Sequence, residues 1–262
     1  MTGATRGVGR TTERLRLGLV IPTLNEEEAI PDVLARVPRD VDEIVVVDGG
    51  SMDRTVERAA TAGARVIFES RPGYGRACLA GARAAAETCA VLVFLDGDGS
   101  DCPERIPDLV APILAGEADF VIGSRSRGER EPGSMSVHQL VAGYAIGAVL
   151  RLLYGARCTD MGPFRAIERD ALFRLGMREM TYGWNLEMQM RAARAGLRVL
   201  ELPVPHRRRV GGASKVSGTL AGTLRASLRI LLTLARVAFE RQGPVHAGVG
   251  GREREHESEP ME

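Results

Sequence analysis

Short apolar runs alternate along the chain with amphipathic stretches. Leu17-Gly18-Leu19-Val20-Ile21-Pro22, Glu43-Ile44-Val45-Val46-Val47-Asp48, Arg65 to Glu69, Val91 to Leu95 and Asp119 to Gly123 are too short for helices of several turns. Their nearly unbroken hydrophobicity is that of strands buried on both faces of a parallel sheet. Between them the pattern predicts a helix from Asn25 to about Val37, with Asn25 as its N-cap, and a second after Ser51 and Asp53. Further helices are predicted beyond Arg71-Pro72-Gly73-Tyr74-Gly75-Arg76, over Pro103 to Ala115, and from about Gly183-Trp184-Asn185-Leu186-Glu187-Met188. This alternation predicts an α/β fold whose mostly parallel sheet is covered by helices on both faces. Residues 216–241 read as one long helix in which Leu220, Leu224, Leu228, Leu231, Leu234 and Val237 recur at spacings of three and four among arginines.

Domain limits follow. Residues 1–15 are expected to be a mobile leader, 16–215 the folded domain, 216–241 an amphipathic helix and 242–262 a disordered Glu/Arg/Gly-rich tail. Residues 128–136 and 207–215 read as mobile loops that substrate would order. The leader's Thr-Gly-Ala-Thr-Arg-Gly-Val-Gly-Arg resembles a dinucleotide-binding turn, but only Met1 precedes it and no Tyr-x-x-x-Lys pair follows. Without a strand to deliver it, such a turn cannot hold a pyrophosphate at a helix N-terminus.

Composition narrows the classes. A hydrophobic content of 44% over 262 residues suffices for one substantial core, and a net charge of +1 argues against a nucleic-acid partner. The four cysteines form no C-x-x-C pair, which suggests neither a zinc site nor a disulfide framework and fits a reducing cytoplasm. The N-terminus has no apolar core of a signal peptide, and no uncharged apolar run of eighteen residues occurs, so secretion and membrane spanning are disfavoured. The leucine stripe and arginines of 216–241 suit either an anionic membrane surface or packing on the domain itself.

The chemistry gathers at Leu95-Asp96-Gly97-Asp98-Gly99-Ser100-Asp101. Three carboxylates at the mouth of a buried strand repel one another and lose hydration, and Mg²⁺ or Mn²⁺ held by Asp96 and Asp98 would relieve both costs. The plainer reading is an Asp-rich turn capping the helix near Pro103. Strand ends also carry Asn25 and Asp48, and in open α/β sheets ligands bind beyond these ends. Gly73 and Gly75 permit close backbone approach to a phosphate. Arg125, Arg127, Arg130 and the His206-Arg207-Arg208-Arg209 run with Lys215 suit an anionic acceptor.

Val20-Ile21-Pro22-Thr23-Leu24-Asn25-Glu26-Glu27, Val47-Asp48-Gly49-Gly50-Ser51-Met52-Asp53, Asp96-Gly97-Asp98-Gly99-Ser100, Gly123-Ser124-Arg125, Met161-Gly162-Pro163-Phe164-Arg165-Ala166 and Gly211-Gly212-Ala213-Ser214-Lys215 occur in this order. In this the chain resembles the family 2 glycosyltransferases, in particular their dolichyl-phosphate mannosyltransferase-like branch, over about residues 17–220. The resemblance implies a GT-A nucleotide-sugar fold and inverting transfer. It places Pro22, Asn25, Glu26 and Asp48 around base and ribose, and Asp96 and Asp98 on the metal that holds the diphosphate. Ser100 stands where the mannosyltransferase branch usually has Gln, as a third metal ligand whose shorter hydroxyl reaches the ion directly or through a bridging water. The resemblance further places Arg125 near the acceptor phosphate and Lys215 in a closing loop, and aligns Glu187 with the acid that serves many members as base.

The expected function is transfer of a hexose from a nucleotide sugar to a polyprenyl phosphate at the cytoplasmic membrane face. A soluble phosphorylated or hydroxyl acceptor, with Glu187 as base, is the second enzymatic reading. A non-catalytic nucleotide-binding module on the same fold is the third. A nucleotidyltransferase would need a Gly- and Lys/Arg-rich loop after its first strand, where Pro22 to Glu28 is acidic.

Overall fold

The structure, a computed structural model, describes residues 14–210 and 220–240, with side chains in the last helix from residue 228 onward. Its centre is a seven-stranded sheet built from β1 (Arg16–Thr23), β2 (Glu43–Asp48), β3 (Arg65–Phe68), β4 (Cys89–Phe94), β5 (Phe120–Ser124), β6 (Arg165–Glu168) and β7 (Val199–Pro203). The strand order is β3-β2-β1-β4-β6-β5-β7. All neighbours are parallel except β6, which runs antiparallel to β4 and β5.

Successive residues of the apolar runs serve opposite faces, which is why the runs show no polar alternation. In β2, Val45 and Val47 join one core and Val46 the other; in β4, Leu92 and Phe94 part from Val91, Val93 and Leu95 in the same way. One face is covered by α1 (Ile30–Ala35), α2 (Thr55–Thr61) and α4 (Ile106–Leu114), the last preceded by a 3₁₀ turn over Pro103–Arg105. The other face carries α3 (Tyr74–Ala84), α5 (Val137–Tyr154), α6 (Arg169–Arg174) and α7 (Trp184–Arg194). Against α7 packs α8 (Leu220–Phe239), so the long C-terminal helix docks on its own domain.

Three expectations change. The first helix starts at Ile30, not Asn25: Asn25 has a left-handed φ of 53° and spends its side chain on a neighbouring loop. Arg14, placed in the leader, is ion-paired to Asp42 at 2.6 Å; residues 1–13, the tail beyond 240 and Lys215 lie outside the described residues. Among the described residues α5 is long and apolar enough, with Arg151 as its one charge, to meet the criteria for a membrane span. Arg151 interrupts it, so no uncharged run of eighteen residues marks it in the sequence.

Candidate active site

Two loops at the carboxyl ends of β1 and β2 are zipped together. Asn25 N donates to Ser51 Oγ at 2.8 Å, Met52 N to Asn25 Oδ1 at 2.8 Å, and Glu26 N to Thr55 Oγ1 at 2.8 Å. Asp48, 1% exposed, takes both its own turn amides, Gly50 N at 2.9 Å and Ser51 N at 3.0 Å, and the Ser51 hydroxyl. Pro22, Asn25, Glu26 and Asp48 are thus assembled in one wall, as the sequence suggests. Asp48 also shapes that wall by folding its own turn.

At the end of β4 the chain reverses through Gly99 at φ 78°, a conformation a side chain would resist. Ser100 donates from both N (2.9 Å) and Oγ (2.6 Å) to Asp98 Oδ1, so its hydroxyl orients Asp98 and is not directed to an ion on its own account. Asp101, fully buried, accepts the Asp96 amide at 3.2 Å through Oδ2, while its Oδ1 has no partner. Asp96 Oδ1 is likewise buried and unpartnered. Burial first, and then the Asp98 and Asp101 charges, push the Asp96 carboxyl well above the ordinary range. Burial and the Asp98 charge raise Asp101 to about 7.

Two orphaned carboxylate oxygens in a negative pocket fit a divalent cation. Among the described residues no three His, Cys, Asp or Glu side chains are grouped closely enough to ligate an ion unaided. Mg²⁺ or Mn²⁺ held by Asp96 and Asp98 would therefore complete its shell with water and substrate phosphate.

The loop after β7 lies over this turn. Arg207 N donates to Ser100 O at 2.9 Å and Val210 N to Asp98 O at 3.0 Å. The loop brings His206, 5% exposed, to Asp101: Nδ1 lies 3.8 Å from Oδ1 without a hydrogen bond. Burial, with the Arg125 charge, lowers His206 to about 4, so its imidazole is neutral at physiological pH. The Arg209 guanidinium contacts Glu26 and stands 3.7 Å from Asp98 Oδ2, joining the wall at the ends of β1 and β2 to the acidic turn. The sequence reading counts Asp101 only among the crowded carboxylates and sets His206 and Arg209 in a basic run for an anionic acceptor, whereas the structure brings all three to the acidic turn. The signals were an acid adjoining the Asp pair, and one histidine inside a basic run.

Other expected residues stand differently. Arg125 is clamped by Asp160, Nε to Oδ2 and Nη2 to Oδ1, each at 2.8 Å. Burial would lower its pKa, but the Asp160 bonds and charge raise it instead. Arg125 therefore supplies a fixed positive charge beside Asp96 and Asp101 and is no mobile clamp. Gly73 serves chain packing, because a Cβ there would come 2.3 Å from Met180 O, so its freedom is spent on the 179–180 backbone and not on a phosphate.

Glu187 is fully buried. Its Oε2 takes Arg178 N at 2.9 Å and Glu179 N at 2.5 Å, and its Oε1 takes Arg191 Nε at 2.9 Å and Arg236 Nη2 at 3.0 Å. A carboxylate with four donors holds α7 to α8 and is not free to accept a substrate proton. Loop 128–136 is bound to the loop after β7 by a bridge between Arg130 and His206 and by Glu131 N to His206 O at 3.0 Å.

The family model described as "Glycosyl transferase family 2" matches residues 19–176. An uncharacterized glycosyltransferase of Mycobacterium tuberculosis is 42% identical over 212 residues, 80% of this chain and 94% of that protein. The undecaprenyl-phosphate mannosyltransferase of Micrococcus luteus is 34% identical over 230 residues, 79% of this chain and 90% of its own. Among solved structures, glucosyl-3-phosphoglycerate synthase from M. tuberculosis, in complex with Mn²⁺, uridine diphosphate and glucosyl-3-phosphoglycerate, superposes with a TM-score of 0.69. It is 26% identical and the match covers 86% of this chain and 80% of that one. On this family match and these relatives, the chain belongs to glycosyl transferase family 2.

Proposed function

We propose that this protein is an inverting, Mg²⁺- or Mn²⁺-dependent glycosyltransferase that moves a hexose from a nucleotide sugar to a polyprenyl phosphate at the cytoplasmic membrane face. The observation that carries it is the set of buried, unpartnered oxygens on Asp96 and Asp101 beside Asp98. Asp96 and Asp98 would hold the ion, which when bound supplies positive charge against the leaving diphosphate. Asn25, Glu26 and Asp48 wall the nucleoside, and Arg209 lies between that wall and the acidic turn. A phosphate acceptor arrives as an anion and needs no base, which agrees with the burial of Glu187. Catalysis then rests on positioning and on the fixed charge of Arg125. The name of the Micrococcus relative supports the lipid phosphate.

A soluble phosphorylated acceptor is the second reading, favoured by the solved synthase, which was also crystallised with phosphoglyceric acid. The test is nucleotide release from a panel of nucleotide sugars with Mn²⁺, with and without short polyprenyl phosphates in detergent. Release that requires the lipid phosphate is expected and names the donor. Release only with a soluble phosphorylated acceptor would replace the first reading by the second, and no release from any donor would leave a nucleotide-binding module.

A further inference from the structure

Helix α5 leaves an apolar face in water. Val137 is 77% exposed, Val141 62% and Leu152 85%, with Tyr144 also exposed between them, while Gly143, Ile146, Gly147 and Leu150 face inward. On α8, Leu228, Leu231, Leu232 and Phe239 are exposed, and Arg229 and Arg236, each still partly exposed, pair with Glu179 and Glu187. From residue 228 onward the exposed side of α8 is thus apolar with these two arginines at its edge. Both helices pack on α7, and their C-terminal ends border one open hollow, lined by Leu153, Tyr154, Ala193, Arg194, Ala238 and Glu240. Adjacent apolar surface on this scale marks a contact site.

Charge selects the occupant. Residues 137–159 contain no Asp or Glu but include His138, Arg151 and Arg157, and Leu220–Phe239 has no acid either. An apolar face whose bordering acid, Glu240, is paired with Arg178 and Arg191, and which has cations at its edge, matches anionic lipid headgroups over acyl chains. A second copy would bring the same cationic edge and no opposite charge to pair with it.

Attachment sets the orientation. The inward face of α5 is seated so closely that a Cβ at Gly147 would come 2.0 Å from Cys158 O. A helix fixed along one side to a water-soluble core cannot have lipid around its whole circumference, so it lies along a bilayer and not through it. The same seat adjoins Asp160, which holds Arg125, and the N-terminus of α5 follows the loop bridged to His206.

We propose that α5, flanked by α8, is the surface by which this protein rests on an anionic bilayer, with α5 parallel to the membrane plane and the Arg125 cluster beside it. The choice of occupant rests on the lipid-phosphate reading above. The test is co-sedimentation of the full chain with vesicles of phosphatidylcholine alone or mixed with phosphatidylglycerol. Wild type is expected to sediment with the anionic vesicles and to be released by salt. The double variant Val141→Glu, Leu152→Glu is expected to bind at least about tenfold more weakly, with an unchanged thermal midpoint because both sites are exposed. Equal binding by the two proteins, or none by wild type, overturns the proposal. So does a wild-type dimer in sedimentation velocity that the double variant dissolves, which would assign the face to a second copy. Turnover of detergent-dispersed polyprenyl phosphate separates the two claims: if it persists without vesicle binding, the function stands and this surface is wrong.

Discussion

The side chains of the acidic turn divide the work between holding and being held. Asp98 is oriented by Ser100, Asp101 takes the Asp96 amide, and Asp96 keeps an unsatisfied oxygen at the end of β4. Asp98→Ala is expected to abolish Mn²⁺-dependent nucleotide release with an unchanged far-UV circular dichroism spectrum; undiminished release would remove Asp98 from the metal site. Arg125 and Asp160 form the opposite kind of pair, both buried and bidentate. Taking away the cation strands a buried carboxylate, so Arg125→Ala should cost about 3–5 kcal/mol in denaturant unfolding. A loss within experimental scatter would show that Asp160 is solvated.

At the scale of elements, α7 and α8 are joined by ion pairs rather than by leucines alone. Glu187 on α7 and Glu179 just before it receive Arg236 and Arg229 from α8, while Arg191 braces Glu187 from within α7. Glu187→Gln should loosen α8, seen as faster amide hydrogen exchange in that helix and a stability loss on the order of 3 kcal/mol, with turnover at saturating substrate within about threefold of wild type. A drop of about a hundredfold or more in turnover with unchanged stability would restore Glu187 as a base. Strand β6 shows why some elements escape sequence reading. Its Arg165 is fully buried across the Phe120 ring and donates to Asn185 O at 3.1 Å, with burial lowering its pKa to about 10. A strand with a guanidinium at its start lacks the apolar run that marks β1, β2 and β4.

For the molecule as a whole, the acidic turn is a source of instability that a cation would relieve. Asp101 titrates at about 7 in the fold against 3.8 as the reference, and Asp96 is also raised. Between those values the fold keeps the Asp101 proton that the unfolded chain has lost, so the contribution of Asp101 to stability falls as pH rises from about 4 to about 7, while His206, lowered to about 4, contributes in the opposite direction over the lower part of that range. Mn²⁺ binds the ionised carboxylates and should therefore raise the thermal midpoint more at about pH 8 than at about pH 5. Equal shifts at both pH values would place the ion elsewhere.

The order of β and α elements through β5, the acidic turn, and the wall formed by Asn25 and Asp48 were all legible in the sequence, because buried parallel strands and strand-end ligands leave local patterns. The partners of Arg125, Glu187 and Gly73 were not: Asp160, Arg236 and Met180 lie 35, 49 and 107 positions away along the chain, and no local pattern reports which groups tertiary packing brings together. The pairing of Arg229 and Arg236 was decided the same way, by the buried carboxylates of Glu179 and Glu187 that packing brings beside α8. Sequence by itself determined the chemistry at the sheet's edge, since carboxylates and turns act where they stand. Only the tertiary structure decided which charged groups face the substrate and which lock the fold, because desolvation and pairing depend on neighbours that the chain supplies from afar.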